Sequence, residues 1–187
     1  MNEEFNAESV KGFSFMREIY DWVEASISAL LFVVLLFVFL GMIVGVHGPS
    51  MAPTLMDSER LLCSRMFTQP KYMDIVVVTK PDSKNNPLIK RVIATEGQVV
   101  DYKDGNVIVN GVILNEPYIA EQMFTQNQEN SPRYPMTVPP GHVYLLGDNR
   151  NVSWDSRSAD LGPVDVRYIF GRVIYRVMPY NRLGRPQ

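Results

Sequence analysis

The sequence predicts a mainly β domain of folded antiparallel sheets, barrel-like in character, preceded by one N-terminal transmembrane helix. Three observations carry that expectation. An uncharged apolar run extends from Ala25 to Val46. Short β-branched runs recur through the rest of the chain. Asp-Gly and Asn-Gly pairs, the strongest short-range hairpin signals, fall between several of those runs.

The apolar run comes first along the chain. Its length, about 22 residues, spans roughly 33 Å as a helix, enough for a hydrocarbon core of about 30 Å. Leu30 to Leu40 is continuously apolar, and no polar face appears at helical spacing. Before it, Glu3, Glu4, Glu8, Glu18, Asp21 and Glu24 outnumber Lys11 and Arg17, unlike the basic flank of a cleaved secretory signal. The run is therefore expected to be an uncleaved signal-anchor over residues 25–46. Residues 1–24 would then form a short segment on one side of the membrane and residues 47–187 a domain on the other. Lys11 and Arg17 balance Arg60 and Arg65, so the distribution of basic residues alone leaves the orientation open.

Beyond the anchor the strands follow in order. Ile75-Val76-Val77-Val78 and Val92-Ile93-Ala94 are short and β-branched. Val99 to Tyr102 leads through Asp104-Gly105 into Val107-Ile108-Val109 and then Asn110-Gly111. Val143 to Leu146 and Ile169 to Tyr175 complete the series. Many short strands joined by turns suit a barrel or folded sheets. The polar, proline-containing stretch from Gln122 to Pro140 reads as a long surface loop, and Met66-Phe67 as apolar surface that either rests on the bilayer or packs inside.

Composition narrows the chemistry. Totals of 18 basic and 20 acidic residues, less the two basic and six acidic ones of the first 24, leave 16 and 14 for the remainder. Such a balance is no nucleic-acid footprint. The single cysteine, Cys63, excludes an intrachain disulfide and reads as a small buried hydrophobe. With only His47 and His142 as histidines, no metal site or cofactor is expected.

Ser50 lies in the proline- and glycine-shaped segment Gly48-Pro49-Ser50-Met51-Ala52-Pro53-Thr54-Leu55, just past the apolar run. A serine needs a base to become a nucleophile. Neither histidine has an obvious acidic orienter beside it in sequence. Lys90, within Leu88-Ile89-Lys90-Arg91-Val92-Ile93, is the remaining candidate. Burial in an apolar strand would lower its pKa from about 10.4 to about 8, at roughly 3 kcal/mol of desolvation. The same pattern also fits a strand lysine that points to solvent. Gly147-Asp148-Asn149-Arg150-Asn151-Val152-Ser153-Trp154-Asp155-Ser156-Arg157 supplies a tight turn whose aspartates and arginines can pair.

Together these blocks resemble the bacterial type I signal peptidases, in the short form found in Gram-positive bacteria. Ser50-Met51-Ala52-Pro53-Thr54-Leu55 resembles that family's Ser-Met-x-Pro-Thr-Leu box. Asp74 to Val78 resembles its Asp-Ile-Val-Val strand, Lys90-Arg91-Val92-Ile93 its base-bearing box, and Gly147 to Arg157 its Gly-Asp-Asn-Arg-x-x-Ser-x-Asp-Ser-Arg turn. The resemblance implies Ser50 as nucleophile, Lys90 as general base, Ser153 as the group orienting that base, and the Ser50 amide as an oxyanion donor. It implies shallow pockets near Met51, Leu55, Val77 and Ile89 for small residues one and three before the cut. Arg91, Asp148, Asn149, Arg150, Asp155 and Arg157 would be structural support. The partners implied are preprotein signal peptides, the lipid bilayer and the secretion machinery, with the catalytic domain on the outer face of the plasma membrane.

Three departures stand out. Gly48 occupies a position where some members carry an oxyanion-assisting serine. Met73 replaces a customary glycine, and Ala94-Thr95-Glu96-Gly97-Gln98 replaces Gly-Leu-Pro-Gly-Asp. Two other functions fit parts of the chain: a self-cleaving Ser-Lys regulator, which would need a DNA-binding domain, and a non-enzymatic membrane-tethered β module.

Overall fold

The computed structural model describes residues 2–66, 69–79, 87–124 and 133–186, with helix side chains described over 15–35. The chain divides into two compact units, residues 1–40 and 41–187. Phe67 and residues 125–132 of the expected long loop lie outside the described residues.

The first unit is one helix, α1 (Asn2–Leu40). It starts well before the apolar run and stops before that run ends. The expected helical boundary at Val46 is thus corrected to Leu40. Met42–Gly45 instead forms a strand, β1, antiparallel to β2 (Arg60–Ser64), with Met42 opposite Cys63 and Gly45 opposite Arg60. Gly41 makes the change possible. Its φ is +142°, and a Cβ there would lie 2.1 Å from the Cys63 carbonyl oxygen, so only glycine fits. Hydropathy is blind to this switch, because Met42, Ile43 and Val44 suit a membrane helix and a sheet equally. Side chains from Phe15 to Leu35 are exposed, among them Leu30 and Phe32 at 65% each. Among the described residues, no helix is long and apolar enough to cross a membrane.

The second unit holds the remaining strands: β3 (Ile75–Val78), β4 (Leu88–Thr95), β5 (Val99–Lys103), β6 (Asn106–Val109), β7 (Val112–Ile113), β8 (Met136–Thr137), β9 (His142–Leu146), β10 (Val164–Asp165) and β11 (Ile169–Met178). One sheet has the order β1-β2-β11-β3-β4-β9-β10, and the other β7-β6-β5-β8. All pairings are antiparallel. Each sheet, among the described residues, runs from edge to edge, so the fold is two antiparallel sheets and not one closed barrel. Part of the expected long loop is likewise ordered structure, with β8 paired to β5 and Val138 fully buried.

The hairpin signals work as expected. Asp104 and Gly105 both have positive φ, 51° and 78°, and join β5 to β6 with Lys103 opposite Asn106. Asn110 and Gly111, at 51° and 79°, do the same between β6 and β7. These left-handed pairs match the twist of a two-residue hairpin.

Strand β4 is the axis of the domain. Ile89 belongs to a core cluster with Met51, Leu55, Leu61 and Val77. Val92 joins a second cluster with Val76, Val143 and Leu145, and Ile93 and Ala94 a third with Val100, Tyr144 and Leu146. Every residue from Ile89 to Ala94 is buried, which carries Lys90 and Arg91 into the interior with their apolar neighbours. Met66 is 69% exposed. Cys63 is buried as expected, and burial pushes its thiol up to about 11.

Candidate active site

Ser50 sits on a tight turn. The Ala52 amide donates to the Pro49 carbonyl at 3.1 Å, and the Leu55 amide to the Met51 carbonyl at 2.9 Å. The base of this loop is closed by Val46 N–H to Glu59 O at 2.8 Å and Ser58 N–H to Val46 O at 3.0 Å. Met51 and Leu55 plug the turn into the core at 1% and 0% exposure.

Lys90 reaches the turn from the middle of β4, where its neighbour across the ladder is Val76. Its Nζ lies 2.9 Å from Ser50 Oγ. The lysine is 2% exposed. Desolvation dominates its titration and lowers its pKa from 10.5 to about 8, against an upward pull from Asp155 and Asp148. The solvent-facing alternative for Lys90 is therefore excluded. A buried amine held on a serine oxygen, with a neutral fraction near pH 8, can take a proton from that hydroxyl.

The loop from Gly147 to Arg157 packs against this pair. The Asn149 amide donates to Ser50 O at 3.1 Å, and Asn149 Nδ2 to Pro49 O at 3.2 Å. Gly147 is the point of closest approach: a Cβ there would stand 2.2 Å from Ser153 Oγ and 2.4 Å from Ser50 O. Ser153 Oγ is buried with no hydrogen-bond partner, so Lys90 is joined to Ser50 and not to Ser153 in this structure. Arg91 and Asp148 form a two-pronged ion pair, Nε to Oδ1 at 2.8 Å and Nη2 to Oδ2 at 2.7 Å. Asp155 grips Arg157 at 2.7 and 2.8 Å and accepts the Gly147 amide at 3.0 Å.

Several participants gave no signal in the sequence. Glu116 pairs with Arg150 at 2.7 and 2.5 Å, and the Arg91 guanidinium lies 4.0 Å above the Tyr118 ring centre. Glu59, 2% exposed, pairs with Arg176 and Arg182. These contacts join residues far apart in sequence, so no local pattern marks them.

The departures noted in sequence also find physical form. Met73 has φ +73°, the left-handed region that favours glycine, while its carbonyl accepts from Arg91 Nη1 at 3.3 Å. In the changed turn after β4, Gln98 Oε1 accepts the Thr95 amide at 2.8 Å and Glu96 Oε2 the Gly141 amide at 2.7 Å. The Gly48 amide donates to Asp57 Oδ1 at 2.8 Å, and that bond holds the exposed Asp57 carboxyl below its usual range. Val77 and Ile89, like Met51 and Leu55, belong to one buried core cluster. His47 is exposed, and His142 Nδ1 lies 2.8 Å from Pro140 O. An open groove of about 980 Å³ is lined by residues 102–105 and 121–124 and contains neither Ser50 nor Lys90.

A buried lysine amine held on a serine hydroxyl is an arrangement that can activate a nucleophile. The chain belongs to the family described as signal peptidase, peptidase S26, whose model matches residues 19–178. It is 33% identical to signal peptidase I of Bacillus licheniformis over 90% of this chain and 94% of that protein. It is also 33% identical to thylakoidal processing peptidase 1 of Arabidopsis thaliana, over 74% of this chain but only 42% of the plant protein's length. A crystal structure of signal peptidase I from Enterococcus faecalis aligns with a TM-score of 0.45 at 30% identity, over 57% of this chain and 97% of that one. Membership of the signal peptidase family makes the protein a peptidase, a hydrolase of peptide bonds.

Proposed function

We propose that this signal peptidase removes N-terminal signal peptides from exported preproteins with Ser50 as nucleophile and Lys90 as general base. The observation that carries the assignment is the 2.9 Å approach of a 2% exposed lysine to the serine hydroxyl. The neutral Lys90 amine accepts the Ser50 proton as Oγ bonds to the substrate carbonyl carbon. The resulting ammonium gives that proton to the departing amine as the C–N bond breaks, leaving an acyl-serine. Lys90 then takes a proton from water, which attacks the ester, and Ser50 regains its hydrogen as the signal peptide leaves with a new carboxylate. The Ser50 backbone N–H serves as oxyanion donor, and the Ser153 hydroxyl, which has no partner in the resting arrangement, turns to steady the Lys90 amine during these transfers.

Substrate binds as an extended strand, with small residues at the -1 and -3 positions against the patch of Met51, Leu55, Val77 and Ile89. The apolar run that begins at Ala25 serves as a single-pass plasma-membrane anchor, N-terminus in the cytoplasm and catalytic domain outside. The exposed apolar side chains of α1 support this reading, since water is a poor solvent for them. The bilayer and the secretion machinery are then its neighbours.

Cleavage of a preprotein by detergent-solubilised wild type, Ser50→Ala and Lys90→Ala tests the dyad. Loss of about four orders of magnitude or more is expected for each variant, and wild-type turnover by either one refutes the assignment. Because the base works only when neutral, activity should climb as pH rises through about 8. A flat profile across that region would exclude Lys90 as the base.

A further inference from the structure

The serine turn has a second side, away from Lys90, and three charged residues meet there. Glu59 is 2% exposed and lies at the foot of the Ser50 loop. Two arginines from near the other end of the described chain converge on it. Arg176 Nη1, from β11, stands 3.1 Å from Glu59 Oε2 and 2.9 Å from the Thr54 carbonyl oxygen. Arg182, from the short turn of helix Tyr180–Arg182, places Nη1 2.6 Å from Glu59 Oε1. Its Nη2 donates to the carbonyls of Pro53 and Thr54 at 3.2 and 3.4 Å. Arg176 Nε also donates to the Arg182 carbonyl, and the backbones of Arg176 and Gly184 exchange hydrogen bonds at 2.7 and 3.3 Å.

We infer that Glu59, Arg176 and Arg182 form a clamp that fixes the nucleophile turn from behind, making Arg182 a positioning residue for Ser50. The inference rests on the proposed role of Ser50. Pro53 and Thr54 lie three and four residues after Ser50, and their carbonyls accept from the two guanidiniums. Arg176 reaches both the carboxylate and the turn through Nη1, whereas Arg182 divides them, with Nη1 on the carboxylate and Nη2 on the turn. Glu59 holds the two cations in place, and the cations hold the carbonyls. A planar fork does this where a single ammonium does not. Releasing the turn would move Ser50 Oγ relative to Lys90, and displacements of about 1 Å lower turnover by up to about 100-fold.

Arg182 is the residue to change, because its side chain is 36% exposed and its loss leaves no buried charge alone: Glu59 keeps Arg176. Preprotein cleavage and amide exchange at Ala52 and Leu55 are measured for wild type, Arg182→Ala and Arg182→Lys, below the melting transition of each, with Ser50→Ala alongside. The expected result for Arg182→Ala is kcat about ten-fold lower at little changed KM, with faster exchange at both amides. Arg182→Lys keeps a charge for Glu59 but lacks the second N–H arm, so it should restore Tm while kcat stays low. Unchanged exchange in Arg182→Ala overturns the clamp whatever the activity, as does a lysine variant that recovers kcat together with Tm. Equal cleavage by wild type and Ser50→Ala would instead overturn the proposed nucleophile, while the exchange result still decides the clamp.

Discussion

The lysine side and the serine side of the proposed dyad are both held by carboxylate–guanidinium contacts, yet the two are built differently. Behind Lys90, Arg91 and Asp148 have side chains 1% and 0% exposed, and Arg157 and Asp155 are 7% and 0% exposed. Behind Ser50, Glu59 is as sealed at 3%, but its partner Arg182 is 36% exposed. The sealed side shapes electrostatics as well as geometry, because Asp148 and Asp155 both raise the pKa that burial has lowered at Lys90. The open side shapes geometry alone. A base has to be tuned as well as placed, whereas a nucleophile with an ordinary hydroxyl needs only placing.

Three measurements would break or sharpen that contrast. The largest effect belongs to Arg91→Ala, which strands the buried Asp148 carboxylate. A loss of about 3–5 kcal/mol in chemical denaturation is expected, and a loss below about 1 kcal/mol would mean that the sealed side is no more critical than a surface pair. Lys90→Met comes next, in the opposite direction. The folded-state pKa of about 8 lies below the ordinary 10.5, so between those values the unfolded chain binds more protons and stability rises with pH. Below about pH 8 the full penalty remains, so the methionine variant should gain about 2–3 kcal/mol at neutral pH and lose the pH-dependent rise. If its stability matches wild type there, the tuning is not held as strain at the lysine. The smallest change is Met73→Gly, which relieves a left-handed methionine beside Arg91. A gain of about 1 kcal/mol in the same assay is expected, and a loss would show that the methionine side chain contributes more packing than its backbone costs.

Much of this was legible in the sequence because its causes are local. Asp104-Gly105 and Asn110-Gly111 specify their hairpins through backbone conformations that few residues adopt. Lys90 could be singled out because its apolar neighbours allow a buried strand, although the same pattern fits a lysine facing solvent, and the shift to about 8 follows from the burial found. Ser50 and the Gly147 to Arg157 loop were found by their motifs, and the loop does close on the serine through Asn149. Three things escaped. The end of α1 was misplaced because apolar residues serve a helix and a sheet alike, and what decides between them is a close approach at Gly41. Glu116 and Glu59 escaped because their partners lie 34 and up to 123 residues away. The Ser153 hydroxyl was expected to hold the lysine and is instead buried without a partner, a matter of side-chain rotation that no sequence pattern records.

The sequence distance across the clamp sets an order of events during synthesis. Arg182 lies 129 residues after Pro53, whereas Lys90 lies only 40 after Ser50. At about 5–20 residues per second, the ribosome needs roughly 6–26 s to travel from Pro53 to Arg182. A nascent chain therefore holds both Ser50 and Lys90 well before Arg182 can lock the serine turn. The enzyme would come of age only when its last strand has been made.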